Sequence, residues 1–174
     1  MLGHFRHESG HYYWDLLVKD SLLIDSFRAR FGDARNDSAA ALDRHYREGP
    51  AADWQSAFVS GYATMHPWED WAETWAHYLH MMDLLSTAIA WQLKVGAFDT
   101  EHVQQQGLEP IPLSPEFLSL LQRWTPLTLV ANSLNRSLGQ ADAYPFALSY
   151  GALRKMQFVH DVIKPFNPTG ASQG

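Results

Sequence analysis

The sequence predicts a mainly α-helical protein. Apolar residues recur every three to four positions in several long segments, and most prolines and glycines fall between these segments. No segment alternates apolar and polar residues with the period of two that a half-buried strand shows. The 174 residues, 46% of them apolar, suffice for one domain with a buried core.

The first predicted helix covers residues 2–31. Its leucines and phenylalanines recur with a helical period, it contains no proline, and Gly32 is a suitable stop signal. A polar loop follows, and a short helix is predicted over residues 38–47 because the Gly-Pro pair at 49–50 ends the segment. Residues 51–65 fit a helix or an irregular connection equally well.

A second long helix is predicted from Pro67 to Val95, and Gly96 ends it. Proline suits a first helical turn, and Thr64 or His66 could cap it. One apolar stripe follows this helix at helical spacing: Trp68, Trp71, Ala72, Trp75, Leu79, Met82 and Leu85. We expect a helix of this length, with several indoles on one face, to lie at the centre of the fold.

The rest of the chain predicts two more helices. Residues 97–114 contain one glycine and two prolines, which favours an extended connection. A helix over residues 115–138 has Ser114 as its N-cap, and Pro126 kinks or interrupts it. The last helix covers residues 149–163.

We expect one domain over residues 1–164 and a flexible tail over residues 165–174.

Composition and charge exclude several classes of function. Zero cysteines exclude disulfides, thiol catalysis and cysteine-ligated metal sites. The net charge of −6 has the wrong sign for a general nucleic-acid binder, and no apolar run reaches the ~20 residues of a membrane span. The start of the chain carries no export signal, so a cytoplasmic location is expected.

Residues 7–11 are His-Glu-Ser-Gly-His, an H-E-x-x-H pattern on the first predicted helix. Positions i and i+4 of an α-helix lie one turn apart on the same face, so His7 and His11 can bind one metal ion from a rigid backbone. Glu8 lies beside them, where it can accept a proton from a metal-activated water. The pattern predicts a single-metal site with Glu8 as a general base.

Such a site needs a third protein ligand, and without cysteine it must be a histidine or a carboxylate. The tryptophan-rich helix has a polar stripe beside its apolar one: Glu69, Glu73, His77 and His80. We therefore expect this helix to pack against the helix of His7 and His11 and to supply the ligand. Spacing alone does not decide which residue it is.

Three blocks of the sequence resemble a bacterial family described as zinc-binding metallopeptidases. Residues 3–15 form the first block, which contains the H-E-x-x-H pattern, and residues 66–78 form the second. The third combines Ser-Leu-Asn-Arg-Ser at 133–137 with Tyr-Pro-Phe at 144–146. Members of that family carry a longer N-terminal region. The resemblance implies that this region is missing here, since only six residues precede His7.

The resemblance implies a zincin-like helical domain in which the H-E-x-x-H helix packs on the tryptophan-rich helix. It implies a gluzincin-like centre with one zinc ion, His7 and His11 as ligands, Glu8 as general base and a downstream glutamate as third ligand. The segment Trp-Ala-Glu-Thr-Trp is similar to the third-ligand pattern of several such peptidases, so Glu73 is the predicted ligand. The alternative is Glu69 as the ligand, with Glu73 supporting the ligands from outside.

The expected activity is that of a zinc-dependent metallopeptidase. A metal-bound water attacks the carbonyl of a peptide or protein substrate, and Glu8 takes its proton. Three tyrosines are candidates for stabilising the oxyanion: Tyr12, Tyr62 and Tyr144. The alternative is a non-catalytic zinc-binding structural or interaction domain, in which His4 or another side chain fills the open position. A di-iron bundle is disfavoured because residues 8–11 form the only E-x-x-H pattern of the chain.

Overall fold

A computed structural model describes residues 1–50, 52–95, 113–144 and 148–166. Six α-helices account for most of them: α1 (Leu2–Leu17), α2 (Ile24–Phe31), α3 (Ser38–Glu48), α4 (Pro67–Ala90), α5 (Pro115–Ser137) and α6 (Tyr150–Ile163). Short 3-10 turns lie at Trp54–Ser56, Tyr62–Thr64 and Lys164–Phe166. These ranges contain no β-strand, so the mainly-α prediction is confirmed. None of their helices combines the length and the apolarity needed to cross a lipid bilayer.

The chain divides into two compact units. The first comprises Met1–Leu79 and Leu148–Gly174, so it holds α1, α2, α3, the N-terminal half of α4, and α6. The second comprises His80–Ala147, with the C-terminal end of α4 and all of α5. The predicted domain over residues 1–164 stays a prediction, and most of the predicted tail lies outside the described residues.

The first predicted helix is interrupted at residues 18–23, which separate α1 from α2. The prediction of one continuous helix is wrong at this point, because a serine side chain makes hydrogen bonds that backbone groups would make with one another in a continuing helix. The Ser21 hydroxyl donates to the carbonyl of Val18 and accepts a hydrogen bond from the amide of Leu23. These bonds close a turn that apolar periodicity does not reveal.

Capping side chains set four of the helix starts. Each accepts a hydrogen bond from a backbone amide of the first turn: Asp37 for α3, His66 for α4, Ser114 for α5 and Ser149 for α6. The predicted cap Ser114 is thus confirmed, and His66 is the one of its two alternatives that caps α4. That helix ends at Ala90, before the predicted Val95. Helix α5 continues through Pro126, so of the two predicted effects of this proline, a kink or an interruption, the interruption does not occur.

An aromatic cluster around Trp71 of α4 forms the core of the first unit. Trp71 is fully buried, and its ring lies 5.6–6.1 Å from four others: Phe27, Phe31, Trp75 and Phe158. These rings come from α2, α4 and α6, and each buried aromatic side chain stabilises the fold by roughly 1.5–3 kcal/mol. The predicted core role of this part of the tryptophan stripe is confirmed.

Side chains of the third family-like block, together with the preceding Asn132, hold a loop of the second unit in place. Asn132 donates to the carbonyl of Tyr144 at 2.8 Å and accepts from its amide at 2.9 Å. Asn135 donates to a carbonyl of the same loop, and Arg136 makes two hydrogen bonds to the carboxylate of Asp142. The Asn-Arg pair of this block therefore fixes the chain that follows α5.

Candidate metal centre

Helices α1 and α4 pack face to face at Gly10. The Gly10 carbonyl accepts a 2.8 Å hydrogen bond from the indole of Trp71, and the indole of Trp75 donates to Ser9 Oγ at 3.1 Å. A Cβ at Gly10 would lie 3.0 Å from the Cα of Ala72, so glycine permits this close approach. The predicted packing of the H-E-x-x-H helix on the tryptophan-rich helix is confirmed.

Three ligand-type atoms converge where these helices meet. Nε2 of His7 lies 3.1 Å from Nε2 of His11 and 3.0 Å from Oε2 of Glu69. Nε2 of His11 lies 3.5 Å from the same oxygen. All three side chains are largely buried, with exposures of 11–12%. Within the described ranges, these residues form the one group that could hold a metal ion.

The spacing of the three atoms fits a tetrahedral zinc ion. Zinc–ligand bonds of about 2.0–2.1 Å place the ligand atoms roughly 3.3 Å apart, and the observed separations of 3.0, 3.1 and 3.5 Å lie around that value. Oε2 of Glu69 is buried and faces both imidazole nitrogens. A cation among the three atoms would satisfy this oxygen and both nitrogens.

Glu73 lies on the other side of the His7 ring. Its Oε1 is 2.7 Å from Nδ1 of His7, and its Oε2 accepts a 2.6 Å hydrogen bond from the hydroxyl of Ser60. A carboxylate at Nδ1 favours the tautomer that keeps the proton there and leaves the Nε2 lone pair for a metal. The structure thus places the predicted ligand Glu73 against Nδ1, whereas the alternative, Glu69, lies among the ligand atoms.

Without a metal, the two carboxylates favour a protonated His7. Burial acts to lower the pKa of His7, but hydrogen bonds to Glu69 and Glu73 outweigh burial and raise the pKa to about 9. Burial acts to raise the pKa of Glu69, whereas hydrogen bonds from His11 and His7 lower it to about 2. The pKa of Glu73 is also lowered, by hydrogen bonds from His7 and Ser60 that oppose burial. Both carboxylates are therefore ionised at neutral pH and attract a cation.

Trp68 fixes the orientation of His11. The two ring centroids are 3.7 Å apart, and the planes are tilted by 33°. Nδ1 of His11 is buried and makes no hydrogen bond to the described residues. The ring contact thus orients the His11 imidazole, and the assignment of Trp68 to the core did not reveal it.

Glu8 lies on the exposed side of α1. Its side chain is 56% exposed, and its Oε1 lies 3.7 Å from Nδ1 of His4, which is 78% exposed. Neither side chain belongs to the ligand group, and neither do His77 and His80 of α4. The role of Glu8 as general base stays a prediction, and its exposure leaves the carboxylate accessible to a substrate.

Tyr62 is the candidate tyrosine beside the ligands. Its ring centroid lies 6.0 Å from that of His7, and its side chain is partly exposed. The pKa of Tyr62 is raised by burial and then by nearby acidic groups, Glu69 first. Tyr12 is a largely exposed residue of α1, and Tyr144 belongs to the second unit.

Ser60 is a site residue that sequence reasoning missed. It lies in the segment 51–65, where no pattern distinguishes one serine from another. Its Oγ donates to Glu73 and accepts a hydrogen bond from the amide of Ala63. The Ser60 hydroxyl therefore links the turn at Tyr62–Thr64 to the Glu73 carboxylate, which contacts Nδ1 of His7.

The chain matches one family model along almost its whole length. That family is described as "putative zinc-binding metallo-peptidase", and the match covers residues 1–162. Proteins named as uncharacterised from Mycobacterium bovis and Mycobacterium tuberculosis are 47% identical to the chain over 169 residues. These matches cover 97% of the chain but 48% of each relative, so the chain spans about half the length of these relatives. No solved structure matches the chain. The protein belongs to this family.

Proposed function

We propose that this chain forms the zinc site of a metallopeptidase-like hydrolase that acts on a peptide or protein substrate. The observation that carries the proposal is the convergence of His7 Nε2, His11 Nε2 and Glu69 Oε2. Glu8 follows His7 in the sequence and has an exposed carboxylate. A bound zinc ion would lower the pKa of a water toward ~7 and polarise a carbonyl group. The substrate class and the cytoplasmic location rest on the sequence alone.

In this proposal the third zinc ligand is Glu69. Its Oε2 faces the Nε2 atoms of both His7 and His11. Both oxygens of Glu73 are engaged elsewhere, one with Nδ1 of His7 and one with Ser60. Glu73 then orients His7 and increases the basicity of its Nε2, a support that carboxylates commonly give to metal-bound imidazoles.

The other side chains of the site supply proton transfer and charge stabilisation. Glu8 accepts the proton of the attacking water and delivers it to the leaving amine. The hydroxyl of Tyr62 donates a hydrogen bond to the carbonyl oxygen as negative charge develops there. Both side chains are partly exposed, as groups that must contact a substrate need to be.

The general-base role predicts that zinc binding and hydrolysis separate in two variants. Glu8→Gln should retain zinc but lose hydrolysis by at least about a hundredfold, because an amide cannot accept the proton. His7→Ala should lose the zinc itself. Zinc per chain is measured by elemental analysis after dialysis, and hydrolysis by mass spectrometry of a mixed peptide library.

Asp15→Asn is the matched control, because it removes another half-exposed carboxylate from α1. It should leave zinc content and hydrolysis unchanged. A Glu8→Gln protein that hydrolyses peptides at the wild-type rate excludes Glu8 as the base. A wild-type protein that holds zinc and cleaves no peptide supports the non-catalytic zinc-binding domain instead.

Zinc binding at neutral pH should release about one proton from the site. The pKa of His7 is raised from 6.5 to about 9 without metal, so at pH 7 zinc must displace a proton to reach Nε2. The apparent zinc affinity should therefore rise up to ~10-fold per pH unit as the pH approaches 9 from below, and level off above pH 9. Calorimetric titrations at pH 7 in buffers of different ionisation enthalpy count the proton. Zero release would mean that His7 is already neutral.

A further inference from the structure

The start of helix α6 lies against the segment 57–64, and Gly151 in its first turn makes a close contact there. A Cβ at Gly151 would lie 2.8 Å from the Cα of Ala57 and 2.9 Å from the carbonyl oxygen of Ser56. Both are backbone atoms, which cannot rotate away as the end of a side chain can. Alanine is normally preferred to glycine within a helix, so the close approach of the two backbones explains the glycine.

Two further contacts hold the segment 57–64 on α6. One turn after Gly151, Nζ of Lys155 donates to the carbonyl of Ala57 at 2.9 Å and lies 3.8 Å from the ring centroid of Phe58. A buried apolar cluster forms the second contact: Val59, Ala63 and Ala152. The first two turns of α6 therefore set the position of this segment.

The same segment reaches the metal centre with two side chains. The Ser60 hydroxyl donates to Oε2 of Glu73 at 2.6 Å, and the ring centroid of Tyr62 lies 6.0 Å from that of His7. Ser60 lies three residues after Ala57, and Tyr62 lies five residues after it. A displacement of Ala57 is therefore passed to both side chains over a short stretch of chain.

We propose that Gly151 is a positioning residue of the metal centre, which acts through the segment that carries Ser60 and Tyr62. It lets α6 hold this segment where Ser60 can bond the Glu73 carboxylate, and that carboxylate supports His7 in binding zinc. The effect on zinc rests on the candidate metal centre. The effect on Tyr62 rests on the proposed function, because only the hydrolysis uses its hydroxyl.

The closeness of the contact predicts what an added methyl group would do. Non-bonded carbon atoms attract each other best at about 3.5–4.0 Å, so a Cβ at 2.8 Å would push Ala57 away by roughly 1 Å. A hydrogen bond of 2.6 Å that lengthens by this amount leaves the range of about 2.5–3.0 Å for hydroxyl donors. Ser60 would then lose its hold on Glu73.

A double-mutant cycle of Gly151→Ala and Ser60→Ala tests this route, with zinc affinity measured by competition with a chromogenic chelator. Each single variant should bind zinc about 10-fold more weakly, the lower end of the range for losing an outer partner of a metal-bound imidazole. The double variant should bind zinc as the single variants do, because both changes break the same hydrogen bond to Glu73. Wild-type affinity in Gly151→Ala, or losses that multiply to about 100-fold in the double variant, overturns the proposal.

Val162→Ala is the matched control in α6. Its side chain is 4% exposed, and it lies eleven residues, or about three helical turns, after Gly151. The variant should lower the Tm by creating a cavity, but it should leave the zinc affinity unchanged. An equal loss of zinc affinity in Val162→Ala would mean that any destabilisation of α6 weakens the site, and it overturns the proposal.

Phe58→Leu tests the same route without inserting an atom, should Gly151→Ala fail to fold. It removes the cation–π contact with Lys155 and loosens the segment on α6, so the zinc affinity should fall about 3-fold. Unchanged zinc affinity in Phe58→Leu contradicts the proposal.

Hydrolysis, where the wild-type protein shows it, gives a second measurement. Gly151→Ala, saturated with zinc, should lower kcat and leave KM within about 2-fold of the wild-type value, since the Tyr62 hydroxyl acts in the transition state. A raised KM with an unchanged kcat contradicts the proposed effect on Tyr62.

Nuclear Overhauser contacts between the ring protons of Tyr62 and His7 report the position of the segment without metal or substrate. They should be present in the metal-free wild-type protein and in Val162→Ala, and they should be lost in Gly151→Ala. A wild-type protein that binds no zinc or cleaves no peptide contradicts the proposed function and leaves this measurement valid. Contacts that persist in Gly151→Ala overturn the positioning role itself.

Discussion

Glu69→Gln should lower the zinc affinity of this protein roughly a thousandfold, whereas Glu73→Gln should lower it only about 10- to 100-fold. Structural zinc sites bind their ion with roughly 10–16 kcal/mol, so losing one of three protein ligands costs on the order of 4 kcal/mol. Glu73 is expected to act through His7, with which it makes a 2.7 Å hydrogen bond, and losing such a supporting partner costs about 10- to 100-fold.

Competition with a chromogenic chelator measures both affinities, and cobalt substitution identifies the ligand. Cobalt-loaded Glu73→Gln should keep the visible spectrum of the wild-type protein, because its set of ligand atoms is unchanged. Cobalt-loaded Glu69→Gln should show an altered spectrum. The reverse result, with the larger loss and the altered spectrum in Glu73→Gln, would restore Glu73 as the third ligand.

The sequence identifies the parts of the site that depend on helical periodicity. Residues 7–11 place two imidazoles on one face of α1, and the tryptophan stripe indicates that α4 is buried. Gly10 supplies the close approach that joins the two helices, since a Cβ there would lie 3.0 Å from the α4 backbone. The family-like blocks add the expectation that a glutamate of α4 completes the ligand set.

Periodicity could not choose between Glu69 and Glu73, because residues four apart share one helix face. The choice depends on how far α1 is shifted along α4, and contacts at Gly10 set that shift. It also depends on Ser60, whose hydroxyl holds Glu73 away from the ligand atoms. The turn at residues 18–23 was hidden for a similar reason, since one serine side chain determines it. Single polar contacts of this kind leave no repeating pattern in a sequence.

Lys155→Met should lower the free energy of unfolding by about 3–5 kcal/mol at pH 7. Nζ of Lys155 lies 2.6 Å from Oδ2 of Asp70 and donates to the carbonyl of Ala57 at 2.9 Å. Both charged residues are buried, with exposures of 7% and 0%. Methionine fills a similar volume but leaves the carboxylate without its counter-ion. Because Asp70 directly follows Glu69 in α4, the pair also links α6 to the helix of the metal centre.

The deficit of the Lys155→Met variant should shrink as the pH falls. Burial already raises the pKa of Asp70 above its ordinary 3.8, although the Lys155 ammonium opposes that shift. In the variant the pKa rises further, so the folded state must take up a proton at pH 7. The free-energy cost of that proton uptake falls by ~1.4 kcal/mol per pH unit as the pH approaches the pKa of Asp70 in the unfolded chain. The wild-type carboxyl group, whose own pKa is raised to about 7, takes up its proton in the same way below that value. The deficit should therefore shrink by up to ~1.4 kcal/mol per pH unit between pH 9 and pH 7 and stay nearly constant from pH 7 to pH 5.

Urea denaturation at pH 9, 7 and 5 measures the deficit, and two variants serve as its controls. Combining Lys155→Met with Asp70→Asn should recover much of the loss, because no buried charge then remains in the pair. Lys94→Met removes an exposed lysine and should change the free energy of unfolding by less than about 0.5 kcal/mol. If the deficit were the same at pH 9 and pH 7, and the double variant as unstable as the single one, the loss would come from packing around Lys155. A deficit that shrinks from pH 9 to pH 7 identifies the unpaired carboxylate of Asp70 as its cause.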